Sequence, residues 1–245
     1  MTAHELFRAG KLNEAAQRAS LDLRDRPTDV RLRTFLFELL CFNGEFDRAG
    51  KHLSVLAQSG TDAETGTLLY RSAIAAERKR QVFFEGGEFK SLSSEQSAKC
   101  PGTINGRAFD TIEDVDARIG PRLEVFVAGE YVWLPFAQIG SVRMEAPKLL
   151  RDTLWATAQV MAGPGNKGQE FGEVLLPVQY PFSWRNTSDD VKLGRVTEWL
   201  STDGSTGEVP VGQKLLLIDG SEEISFLEIR ELIFHSPSSE EPKEA

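Results

Sequence analysis

The chain has 245 residues, of which 40% are hydrophobic and 27% charged, a balance that excludes a disordered chain and leaves room for a sizeable core. Its net charge of −9, from 28 Lys and Arg against 37 Asp and Glu, argues against a nucleic-acid surface, which needs clustered positive charge. No apolar run approaches the ~18 residues that a membrane span requires. The first residues lack a secretory pattern, and two isolated cysteines, Cys41 and Cys100, suit a reducing compartment. The expectation is a cytoplasmic protein with no membrane insertion and no cofactor.

Charge is uneven along the chain: residues 1–82 carry a net +2 and residues 83–245 a net −11, which predicts two parts with different roles. In the first part, Thr2 with Glu5 and Thr61 with Glu64 read as capping boxes. Leu32, Phe35, Leu36, Leu39 and Leu40 recur at helical spacing and form one apolar stripe. Phe37 and Phe42 lie off that stripe, so the helix is expected to be covered on more than one side. A shift of 34 residues pairs Leu6 with Leu40, Gly10 with Gly44, Leu12 with Phe46 and Ala15 with Ala49. That interval is the period of the tetratricopeptide repeat, a stacked helical hairpin, and the turns Gly10-Lys-Leu-Asn-Glu-Ala and Gly44-Glu-Phe-Asp-Arg-Ala resemble that family's turn. Such hairpins can form a groove for a partner's peptide or helix, or simply scaffold the rest of the chain.

Residues 83–100, with Gly86-Gly87 and a serine-rich run, read as a linker. Residues 101–235 read as a β-rich domain of about seven short strands, mostly antiparallel and barrel-like. Ala128-Gly129 and Asp219-Gly220 mark hairpin turns between apolar runs. Residues 236–245 read as a disordered acidic tail. The fold class is therefore α+β, with repeat-like helical hairpins followed by a β-rich domain.

Candidate chemistry is sparse. The acidic run Asp110–Asp116 fails the calcium-loop pattern, because Val115 and Pro121 occupy the sixth and twelfth positions, where glycine and glutamate are needed. The three histidines, His4, His52 and His235, lack zinc spacing. The stretch Gly163-Pro-Gly-Asn-Lys-Gly lacks the ending of a phosphate loop and reads as a hairpin loop. Tyr131 and Trp133 fall on the same side of one strand, either lining the core or forming a patch for a protein partner. The candidate partner-binding residues are Arg31, Phe37 and Phe42 in the helical part and Tyr131 and Trp133 in the β-rich part.

Several longer strings carry a resemblance. Pro101-Gly-Thr-Ile-Asn-Gly, Asp114-Val-Asp-Ala-Arg-Ile-Gly-Pro, Glu124, Tyr131-Val-Trp-Leu-Pro-Phe and Pro147-x2-Leu150-Arg-Asp-Thr-Leu-Trp155 are similar to the ordered motifs of the ImpE/TagJ family. Tyr180-Pro181 fits as well, although Gln179 stands where arginine is usual. The motif positions are Pro101, Gly102, Asn105, Gly106, Asp114, Asp116, Arg118, Gly120, Pro121, Arg151, Asp152 and Trp155. A further helical segment that family members commonly carry before the Pro-Gly-Thr-Ile motif is missing here, which puts the family's binding mode in question for this chain. The resemblance implies a non-enzymatic accessory protein of bacterial type VI secretion. Its implied partners are the small sheath subunit and the ATPase that recycles contracted sheath. The competing expectation is an enzyme or small-ligand protein in which Asp114, Asp116, Arg118, Arg151 and Asp152 converge at one mouth. Salt bridges between strand ends are the structural alternative to that site.

Overall fold

Two helical hairpins repeat at the expected interval. Helix α1 (Ala3–Arg8) turns into α2 (Leu12–Asp25), and α3 (Val30–Phe42) turns into α4 (Phe46–Leu56). The ends of α1 and α3, like the starts of α2 and α4, are 34 residues apart. The computed structural model describes residues 1–59, 61–87, 89, 99–163, 170–201 and 207–235. The side chains of Thr61 and Glu64, residues 164–169, most of 88–98 and residues 236–245 lie outside the described set. At the first helix the capping box forms: the Glu5 amide donates to Thr2 Oγ1 at 3.3 Å and the Thr2 amide to Glu5 Oε2 at 2.8 Å. Asp29 caps α3 by accepting from the Leu32 amide at 2.9 Å.

Residues Phe35 to Phe42 of α3 are all buried, Glu38 among them. A helix buried on every side has no face left over for solvent. Helix α5 (Thr61–Gly86) packs next to α4 and runs past residue 82. The segment expected to be a linker thus begins as helix, with Phe83 and Phe84 in its last turn and Phe89 buried beyond it.

The second part contains thirteen strands among the described residues. They are β1 (Gly102–Ile104), β2 (Arg107–Phe109), β3 (Ile112–Asp114), β4 (Arg122–Val127), β5 (Glu130–Pro135), β6 (Ile139–Met144) and β7 (Trp155–Ala162). They continue with β8 (Glu170–Pro177), β9 (Thr197–Ser201), β10 (Glu208–Gly212), β11 (Leu215–Ile218), β12 (Glu222–Ser225) and β13 (Glu231–Phe234), and a one-turn helix α6 (Asp189–Lys192) precedes β9. Eight strands form an antiparallel sheet in the order β2-β1-β13-β6-β7-β8-β4-β5. The barrel-like expectation is corrected here: the sheet stays open, ending at β2 and β5, and β12-β11-β3 and β10-β9 form separate small sheets.

Turn chemistry explains the hairpins. Asn105 (φ 49°) and Gly106 (φ 82°) join β1 to β2, and Ala128 (φ 50°) and Gly129 (φ 81°) join β4 to β5, each as a two-residue turn with both positions left-handed. Asn105 also anchors its hairpin, since its Oδ1 accepts from the Arg230 amide at 2.8 Å and its Nδ2 donates to the Glu228 carbonyl at 3.0 Å.

Strand alternation lets the large sheet serve two cores. Leu123, Val125, Val174 and Leu176 pack into the β-domain core, whereas Phe126 and Leu175 join Trp155 in the core built with the helices. Glu124 shares its side of β4 with Phe126, and β4 and β5 lie against α5. That register places a carboxylate in the seam between the two parts.

Candidate functional site

The seam holds a buried ionic junction. Helical spacing aligns Ala73, Ala76, Glu77, Arg80 and Phe84 on the buried side of α5. The Arg80 guanidinium donates from Nε to Glu124 Oε1 at 2.7 Å and from Nη2 to Glu124 Oε2 at 2.8 Å. It also donates to the Gln179 carbonyl at 2.9 Å and pairs with Glu77 at 3.4 Å. From the opposite side Lys214 Nζ reaches Glu124 Oε2 at 2.5 Å and Asp114 Oδ2 at 2.7 Å. Tyr131 donates its hydroxyl hydrogen to Glu124 Oε1 at 2.6 Å, and the Trp133 indole N–H donates to Tyr131 Oη.

Arg80, Glu124, Asp114 and Lys214 are each at most 2% exposed, so three carboxylates, counting Glu77, share two cations away from water. Burial opposes ionisation of Glu124, but Arg80 and Lys214 outweigh it and bring its pKa down to about 2. At Asp114 burial wins over Lys214, with Asp116 adding repulsion, and the pKa rises to about 6. Burial also raises Glu77 despite Arg80. Burial and the neighbouring Glu124 charge push the Tyr131 phenol well above its usual value.

The loop after β3 extends this junction. Asp114 Oδ1 accepts from the Asp116 amide at 2.9 Å, and Asp116 accepts from the amide and guanidinium of Arg118 at 2.5–3.0 Å. Arg118 lies over the Phe84 and Phe89 rings, 5.0 and 5.9 Å from their centroids. Gly120 (φ 61°) accepts from the Asp114 and Arg122 amides at 2.8 Å, and the Pro121 carbonyl accepts from Phe136 at 3.1 Å. Pro101 accepts from the His235 amide at 2.8 Å, tying β1 to the end of β13.

Arg151 and Asp152 belong elsewhere. Arg151 donates to Tyr70 Oη at 2.6 Å and to the buried Glu38 of α3 at 2.8 Å. Asp152 Oδ2 accepts from the Lys148 and Leu149 amides at 2.9 and 2.8 Å. Trp155 stacks near Tyr70, with centroids 6.4 Å apart. The expected convergence of five charged residues at one mouth is therefore corrected. Two separately satisfied groups hold the helical part to the sheet, one through Asp114, Asp116 and Arg118 and the other through Arg151.

A third clamp grips the repeat turns. Trp184 lies on Gly44, and Asp189 Oδ2 accepts from the Leu12 amide at 2.8 Å at the start of α2, where Lys11 offers no side-chain cap. Arg195 donates to the Phe7 carbonyl at 3.0 Å.

The expected partner-binding residues divide accordingly. Phe37 and Phe42 are 1% exposed, inside the helical core, and present no surface. Tyr131 and Trp133 are half-buried against Phe83 of α5, with their polar tips turned to the junction. Arg31 is exposed. The cleft beside Glu77, Arg80 and Trp184 holds about 30 Å³, room for about one water and far short of a substrate. A wider groove of about 490 Å³ lies over Met144, Ala156 and Ala158 on β6 and β7. Among the described residues there is no group of three or more metal-ligating side chains, and no helix is long and apolar enough to cross a membrane.

Two comparisons show the relationship, and a third shows the fold. The family model described as ImpE protein matches residues 106–233. The type VI secretion system accessory component TagJ of Pseudomonas aeruginosa is 33% identical over 266 residues, which span 96% of this chain and 91% of that protein. An X-ray crystal structure of a Vibrio parahaemolyticus protein has the same fold, with a TM-score of 0.82 at 22% identity over 98% of this chain and 99% of that one. The chain belongs to the ImpE/TagJ family of type VI secretion accessory components.

Proposed function

We propose that this protein is a non-enzymatic adaptor that acts in the cytoplasm on the type VI secretion sheath. In this reading it binds the small sheath subunit, and the sheath-recycling ATPase is its second contact. The observation that carries the reading is the 33% identity to TagJ across 96% of the chain. The fate of the seam's charges supports it: the buried Arg80, Glu124, Lys214 and Asp114 and the half-buried Arg151 are each bonded between the chain's own parts.

In this reading the partner sits on the outer surface of the helical part. The tetratricopeptide-like hairpins offer of α3 only its start, where Val30 and Arg31 are exposed, because Phe35 to Phe42 are buried all round. Binding is therefore assigned to the outer sides of α2, α4 and α5. The test is calorimetry or size-exclusion chromatography of the full chain with purified small sheath subunit. The expected result is a stoichiometric complex with a Kd of about 1 μM or tighter, equivalent to about −8 kcal/mol. Absence of a complex at tenfold higher concentration overturns the sheath assignment. Addition of the ATPase to the preformed complex then tests the second contact.

A further inference from the structure

Helix α5 carries an outward stripe of alternating character. Leu68, Arg71, Ala75, Arg78 and Val82 follow one another at three- and four-residue spacing and are all exposed, Leu68 at 64% and Val82 at 63%. Residues at that spacing share one side of a helix. Next to the stripe, α4 and α5 flank a shallow, open groove of about 330 Å³ lined by Phe46, Gly50 and Ile74, with Lys51 beside them. On the other side the β4–β5 turn reaches α5, where Gly129 sits beside Ser72 and Ala75 and Glu130 pairs with Lys79.

Charge on this face runs against that of the whole protein. Among the described residues the lining carboxylate is Asp47, already paired with Arg78. Arg71 donates to the neutral Ser54 hydroxyl at 3.2 Å, and neither Arg71 nor Lys51 forms an ion pair among the described residues. A surplus of cations thus surrounds an apolar trough in a chain of net charge −9.

We propose that this α4–α5 face docks an amphipathic helix rich in carboxylates, supplied by a partner protein. Arg71 and Arg78 are two turns apart, about 10 Å along the axis, so carboxylates seven residues apart on the docked helix meet both. Gly50 and Ala75 allow close approach, and Leu68 and Val82 cover apolar residues at the two ends. Helix-in-groove recognition of this kind reads apolar anchors at helical spacing, with charge setting orientation and register. The inference rests on the adaptor reading only in taking the occupant to be a protein.

The probe is a labelled helical peptide of about five turns, or ~18 residues, with glutamates seven apart and leucine and alanine between them. A counterpart carries lysines in place of the glutamates. The full chain is expected to bind the acidic peptide with an affinity that falls steeply as salt screens the pairs, and not the lysine peptide. Arg71→Glu with Arg78→Glu should weaken the acidic peptide at least about tenfold and admit the lysine peptide, with an unchanged melting temperature. Arg24→Glu on α2 should change nothing. No binding of the acidic peptide, or equal binding by wild type and the double variant, overturns the proposal. With sheath subunit in the same assay the two readings separate. Peptide binding without sheath binding overturns the sheath assignment alone, and sheath binding untouched by the double variant overturns this face as the site.

Discussion

The indole of Trp184 rests on Gly44 so closely that a Cβ built there would lie 2.4 Å from Cδ2 of the ring. Gly44 also has φ +69°, the left-handed region that glycine enters without penalty. The equivalent turn of the first hairpin, at Gly10 (φ +75°), lies against Arg195 and Asp190. One short stretch of the second part therefore holds both repeats, and it can do so because each turn lacks a side chain. Gly44→Ala should cost about 3 kcal/mol, from left-handed strain of about 1–2 kcal/mol and displacement of a wedged indole. Gly66→Ala, mid-helix with nothing within 4 Å of the added Cβ, should instead stabilise by roughly 0.5–1 kcal/mol. Denaturant melts of the two variants check both signs.

Asp189 acts as an N-cap supplied from 177 residues away in sequence. It accepts from the Leu12 amide at 2.8 Å, and its other oxygen accepts from Asn13 Nδ2 at 3.4 Å. Loss of a cap costs about 1 kcal/mol, and here it also loosens the attachment of the helical part. Asp189→Ala should lower stability by about that amount and speed proteolysis within α1 and α2, whereas Asp189→Asn, which retains an acceptor, should lose less. Chemical melts and limited proteolysis distinguish the pair.

The hairpin repeat was legible because Gly10 and Gly44 recur in register with apolar and small residues, and Ala128-Gly129 and Asp219-Gly220 marked their turns directly. The strand flanks of Asn105-Gly106 are only three residues each, too short to show alternation, so that hairpin went unread. Strand order was not legible at all: β13 enters between β1 and β6 by a pairing more than a hundred residues long-range, which no local pattern encodes. Arg80 hid in the run Arg78-Lys-Arg, which reads as a solvated patch. Its spacing from Ala73, Ala76 and Phe84 was the signal that puts it on the apolar side. Glu124 and Lys214 likewise stood as single charges beside apolar strand residues, visible as oddities but without partners until the sheet brought them together.

Lys214 neutralises two carboxylates at once, at 2.5 and 2.7 Å, with 2% of its surface exposed. Lys214→Met removes the cation and leaves Asp114 and Glu124 facing each other in a dry seam. Breaking a buried pair from one side costs about 3–5 kcal/mol, mostly the penalty of the orphaned charge. Asp114→Asn in the same chain should return part of that loss, and a double-mutant cycle should give a coupling of at least about 1 kcal/mol. Additive single effects would mean that Lys214 and Asp114 do not act as a pair.

Acid dependence follows from the opposite shifts of Asp114 and Glu124. The Asp114 pKa is raised from 3.8 to about 6 in the folded chain, so between these values the native state holds the proton more tightly than the unfolded state. Its contribution to stability therefore falls as pH rises from 3.8 to 6, by up to about 3 kcal/mol at roughly 1.4 kcal/mol per unit. Glu124 goes the other way: its pKa falls from 4.5 to about 2, so its stabilisation is complete above pH 4.5 and is lost as pH drops through 2. The expected profile for Asp114→Asn is one in which the difference from wild type is small near pH 4 and shifts in favour of the variant as pH rises to 7. Urea melts across that range measure it. A difference that stays constant with pH would show that Asp114 titrates alike in the folded and unfolded chains, and the buried junction would then not be holding its proton.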